Sequence, residues 1–171
     1  MGTAALISVE EYLATSYSPD CDYVDGELVE RNLGTRDHSR LQGEIPGWFR
    51  DRRRELRLRT YPEQRIRVSQ RRFRIPDICV YHNEPDEQVF TQPPYICIEI
   101  LSPEDRFPRL QGKCDDFLKM GIVNLWVIDP ESQRAWTITQ AGHLEALDGM
   151  LRTTDGRVAL PVADLFQPDE L

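Results

Sequence analysis

Residues 95–103 read Tyr95-Ile96-Cys97-Ile98-Glu99-Ile100-Leu101-Ser102-Pro103, an apolar run bounded by Pro93-Pro94 on one side and closed by Ser102-Pro103 on the other. Its length and composition predict a buried strand, and Glu99 is the residue that does not suit one. An unpaired buried charge costs several kcal/mol, so Glu99 must be paired, protonated or bound to a metal. A second carboxylate is equally out of place: Asp77, in the run Arg74-Ile75-Pro76-Asp77-Ile78-Cys79-Val80-Tyr81. Strand period two places Asp77, Cys79 and Tyr81 on one face, and Cys97, Glu99 and Leu101 on one face of the later strand. If the strands are neighbours, Asp77 and Glu99 point into one cavity and can chelate a hard divalent cation. The plainer alternative has Asp77 at a turn before a strand and Glu99 near a strand end, both reaching water.

Outward from this pair, the chain reads as a single α+β domain over residues 1–171, with helices flanking a mixed sheet. Ser8-Val9-Glu10-Glu11 matches a capping box and predicts a short helix. Asp25-Gly26 between apolar pairs predicts a hairpin. His38, Leu41, Ile45, Trp48 and Phe49 recur at helical spacing over residues 36–56, where Pro46 is expected to kink or break the helix. Strands are expected at 57–60, 64–69, 73–81 and 95–101, then a helix over 109–120 ended by Gly121 and a strand at 124–128. Extra C-terminal strands follow at 133–139, 143–147, 149–152 and 157–160, with a last short helix near 161–166.

The chain has 171 residues, of which 40% are hydrophobic, enough for a globular core. Its four cysteines are dispersed and form no C-x-x-C pair, as expected of reduced core cysteines in a cytoplasmic protein. No run is long enough to span a bilayer, and residues 1–13 have no basic region ahead of an apolar one, so neither a membrane nor a signal peptide is expected. The net charge is −8, yet residues 50–74 hold eleven Arg against Asp51, Glu55 and Glu63. Such asymmetry reads either as a solvated face or as a phosphate-contacting surface.

Several pieces occur in an order that resembles a known family. They are SVEEYL at 8–13, DYVDGELVE at 22–30, His38, RIPDICVY at 74–81, EILSPEDR at 99–106, Lys113, Gly121-Ile122-Val123 and LWVIDP at 125–130. Together they resemble the PD-(D/E)XK nuclease superfamily and, within it, the bacterial Uma family of restriction-endonuclease-like proteins. The resemblance implies a restriction-endonuclease-like core and DNA phosphodiester hydrolysis dependent on Mg²⁺ or Mn²⁺. It implies Asp77 and Glu99 as metal ligands and Glu27 as an upstream acidic residue. The superfamily's lysine, two residues after the Glu, is replaced here by Leu101, while the family carries a Lys in the next helix. The chain has only two lysines, Lys113 and Lys119. At about 100° per residue, Lys113 falls on the edge of the apolar face made by Leu110, Cys114, Phe117 and Leu118, and Lys119 falls opposite. Lys113 is therefore the candidate catalytic lysine. Arg109 stands where the family commonly has Asp, and Phe117 where it often has Tyr. Arg52, Arg53, Arg57, Arg71, Arg72 and His38 are the candidate DNA contacts, and a homodimer is expected because double-strand cleavage needs two sites. The alternative is a catalytically decayed nucleic-acid-binding or regulatory protein of the same fold.

Overall fold

The computed structural model describes residues 5–32, 34–105 and 107–167. Arg106, the last residue of the 99–106 motif, and the two ends of the 1–171 span lie outside them. The elements run α1 (Val9–Ala14), β1 (Cys21–Val24), β2 (Glu27–Glu30), α2 (Arg36–Asp51), α3 (Arg53–Leu56), β3 (Arg59–Pro62), β4 (Ile66–Ser69), β5 (Arg72–Arg74) and β6 (Ile78–Tyr81). There follow β7 (Ile96–Ile100), α4 (Phe107–Met120), β8 (Leu125–Asp129), β9 (Arg134–Thr139), β10 (Gly142–Glu145), β11 (Met150–Arg152), β12 (Ala159–Pro161) and a short 3-10 helix, Val162–Phe166.

The central sheet has six strands in the order β10-β9-β8-β7-β6-β3. Only β7 and β8 are parallel in it, and α4 is their crossover. One face packs on α2, the β11–β12 pair and the 3-10 helix through Ile78, Val80, Ile96, Ile98, Ile100 and Trp126. The other face, with Cys79, Cys97, Leu125 and Val127, packs on α4 and on Ile66 and Val68 of a second sheet. That second sheet has four strands, β2-β1-β5-β4. A third cluster, Tyr12, Tyr23 and Phe73, fixes α1 on it.

Local signals act as expected where turns and caps are concerned. Ser8 Oγ accepts from the Glu11 amide at 3.1 Å, starting α1. Asp25 (φ 52°) and Gly26 (φ 101°) both adopt positive φ, which is what a two-residue β1–β2 hairpin turn demands. Gly121 (φ 101°) ends α4.

Two expectations are corrected. Helix α2 runs through Pro46 unbroken. Leu41, Ile45, Trp48 and Phe49 are buried against the sheet. At about 1.5–3 kcal/mol for each large side chain, that burial exceeds the roughly 3 kcal/mol an interior proline costs. The break falls later, at Arg52. The strand expected over 73–81 is two strands in different sheets, β5 and β6, joined by Ile75-Pro76-Asp77. Pro76 has no ladder donor, and Arg74 finds its ion-pair partners on β1 and α4 rather than on the central sheet.

Candidate active site

Strands β6 and β7 are antiparallel neighbours with Cys79 opposite Cys97 and Ile78 opposite Ile98. This register sets Asp77, just ahead of β6, beside Glu99. Both are buried. They share a cleft with Asp22, Arg31, His38, Glu63, Arg74, Arg109 and Lys113, of about 80 Å³, room for a few waters.

The helix after β7 brings the lysine. Lys113 Nζ donates to Glu99 Oε2 at 2.9 Å and to the Ile75 carbonyl at 2.8 Å. Its stem reaches in from the edge of the α4 apolar face, as the helical spacing predicts, whereas Lys119 is exposed. Leu101, in the superfamily's lysine position, packs instead on the apolar cluster beneath α4.

Asp77 has no spare oxygen. Its Oδ1 accepts from Arg31 Nη2 at 3.1 Å and from His38 Nε2 at 3.3 Å. Its Oδ2 accepts from the Ile100 amide at 2.7 Å. Burial pushes the Asp77 carboxyl up, but the His38 hydrogen bond, the charges of Lys113 and His38 and the Ile100 amide outweigh it and hold the group below its usual value. His38 responds in the opposite sense. Burial alone would lower it, and the Asp77 contact raises it above the ordinary histidine value.

Glu99 is different. Burial pushes its carboxyl up to about 7, against the pull of Lys113. Burial disfavours the Lys113 ammonium too, but Glu99, Asp22 and Asp77 raise its pKa, so Lys113 is the charged partner and Glu99 the group that takes a proton near neutrality. Glu99 Oε1 is buried and has no hydrogen-bond partner. An orphaned carboxylate oxygen next to a second carboxylate suits a hard cation. Among the described residues no three His, Cys, Asp or Glu are grouped to hold a metal. Mg²⁺ commonly uses one or two carboxylates and fills its remaining positions with waters and substrate phosphate, so the residues present fit it.

Three expectations are not met in place. Glu27 is exposed at the start of β2, an edge strand, and does not line the cleft. The tight turn sends its side chain to the surface, and the acidic residue the same hairpin brings to the cleft is Asp22. Asp22 Oδ1 accepts from the Ile75 amide at 3.0 Å, and its Oδ2 pairs with Arg74 at 3.2 Å. The sign was present: an Asp among Cys21, Tyr23 and Val24 is as odd as Glu99. His38, a candidate DNA contact, is turned inward onto Asp77. The arginines do not form one surface. Arg52, Arg53 and Arg57 lie at the far end of α2, about 20 Å along its axis from His38. Arg52 is stacked on Trp48 and Arg57 ends α3 in a left-handed conformation. Arg71 donates to the Asp25 carbonyl, and Arg72 is held by Asp25 and Asp116. Arg31 and Glu63 carried no pattern in the sequence and enter the site only through the fold.

Against known proteins, the model of the Uma2 family, described as "Putative restriction endonuclease", matches residues 9–164. A crystal structure from Anabaena variabilis ATCC 29413, described as a "putative nuclease belonging to DUF820", is similar with a TM-score of 0.79 and 23% identity, over 94% of this chain and 97% of that one. At that identity the likeness concerns the fold. No curated protein matches.

Proposed function

The chain belongs to the Uma2 family of restriction-endonuclease-like proteins, and on that premise we propose that it is a metal-dependent nuclease that hydrolyses DNA phosphodiester bonds. The observation that carries this reading is the Lys113–Glu99 contact at 2.9 Å, with Glu99 Oε1 left unpartnered beside Asp77. Asp77 and Glu99 would hold Mg²⁺ or Mn²⁺. Bound there, the ion supplies Lewis acidity toward a phosphate oxygen and lowers the pKa of a water. Lys113 keeps Glu99 oriented and places a positive charge where the phosphate gains negative charge in the transition state. Asp22 holds the Ile75 peptide whose carbonyl in turn holds Lys113. The exposed Arg53 and Arg57 meet backbone phosphates away from the cleft, which positions DNA without reading sequence.

The test is plasmid cleavage with Mg²⁺, Mn²⁺ or a chelator, beside calorimetric metal titration. Lys113→Ala should keep metal binding and lose cleavage on the order of a hundredfold, while Lys119→Ala changes neither. Metal-independent cleavage, or full activity in Lys113→Ala, would refute the mechanism. Salt-sensitive DNA binding without any cleavage would instead assign the chain to a non-cutting binder of this fold.

A further inference from the structure

The two proposed ligands are unequal: Glu99 has a free oxygen and Asp77 has none. A cation that takes Asp77 Oδ1, which two donors already fill, must therefore displace one of them, while Oδ2 keeps a lone pair beside the Ile100 amide. Of the three donors on Asp77, the Ile100 amide is fixed in β7 and His38 is seated on α2. Arg31 lies just past the end of β2, and it alone has a second seat. Its Nη1 is already 3.1 Å from Glu63 Oε1. Glu63 is placed for this by an uncommon backbone: its φ is 52°, and its amide donates to the Asp77 carbonyl at 3.0 Å. Gln42 Nε2 donates to the same Glu63 oxygen at 3.2 Å. The turn after β3 is thus tied to the peptide of Asp77 and turns a carboxylate toward the guanidinium.

We infer that Arg31 is a displaceable counter-cation, holding Asp77 Oδ1 until a divalent ion arrives and then withdrawing onto Glu63. This rests on the metal-dependent reading above. Arg31 neutralises Asp77 while no ion is bound, which keeps a buried carboxylate compensated. It also competes with the ion, both for the oxygen and by like-charge repulsion, and so weakens metal binding. Withdrawn onto Glu63, it stays in the cleft as a positive charge for a phosphate.

The experiment is calorimetric titration of the full chain with MnCl₂. Arg31→Gln removes the competing charge and should bind Mn²⁺ about tenfold more tightly. Arg31→Lys keeps the charge and should stay within about twofold of the parent. Glu63→Gln removes the second seat and should weaken binding severalfold, an effect that disappears when Arg31 is already Gln. Glu63 is exposed, so that variant folds even if Arg31→Gln does not; thermal unfolding of each variant checks this. Parent binding with Arg31→Gln unchanged or weaker overturns the inference alone. So does an equal Glu63→Gln effect in both backgrounds, since Glu63 would then attract the ion directly. No binding by either parent or Arg31→Gln overturns the inference together with the reading beneath it.

Discussion

Asp116 offers the sharpest test of what holds the cleft together. It is buried on α4 and accepts from Arg72 Nη1 and Arg74 Nε, each at 2.7 Å, with Arg74 Nη2 also at 2.7 Å. Arg74 is itself buried and has one other counter-charge, Asp22, at 3.2 Å. Asp116→Ala strands most of a buried guanidinium. Breaking a buried ion pair costs about 3–5 kcal/mol. Because Asp22 still faces Arg74, the lower end applies, about 3 kcal/mol, and a chain of this size should lose roughly 6–12 °C in Tm. Asp25 also meets Arg72, but at the surface, so Asp25→Asn, which removes the charge and still tolerates the positive φ of the turn, should cost less than about 1 kcal/mol. The assay is urea unfolding followed by circular dichroism, with the midpoint and slope compared across the three chains. A change below about 1 kcal/mol in Asp116→Ala would refute the reasoning. It would mean that Asp22 or water compensates Arg74 without help.

Glu99 has a folded pKa raised to about 7 from 4.5. Its contribution to stability is therefore full below the unfolded value and is lost as pH rises from about 4.5 to about 7. Glu99→Gln should flatten the stability profile in that window, whatever it does to absolute stability; an unchanged slope in denaturation at several pH values would count against the assignment. His38, raised by Asp77 against its burial, stabilises the fold below the ordinary histidine value and loses this as pH rises through its folded value. In NMR titrations its midpoint should fall in Asp77→Asn, where only the more distant charge of Glu99 still works against burial; no movement would sink the contact. Arg53→Gln with Arg57→Gln should weaken DNA binding evenly across sequences and reduce the salt slope by up to about one per arginine, read by fluorescence anisotropy. Arg72→Gln should lower thermal stability rather than the salt slope, because Asp25 and Asp116 already hold its charge.

The sequence alone determined what depends on neighbours along the chain. Asp25-Gly26 dictated its hairpin because few residue pairs accept two positive φ angles. Alternation marked Asp77 and Glu99 as carboxylates inside apolar strands, since a side chain two positions on shares the same face. Helical spacing separated Lys113 from Lys119 for the same geometric reason. What the tertiary structure decided lies in pairings between distant segments. Arg31 reaches Asp77 because the four-stranded sheet packs beside the central one, Asp116 reaches Arg74 because α4 packs on that smaller sheet, and Asp22 reaches the Ile75 amide because β1 pairs with β5 inside it. Each such pair is specified by strand order and register, which no local pattern encodes. The same limit explains the misplaced residues. Glu27 and the arginines of 50–74 carry the right charge, but where that charge points depends on which sheet face and which end of α2 the fold gives them. Pro46 shows the converse: its local cost is real, and the burial of four side chains against a distant sheet overrides it.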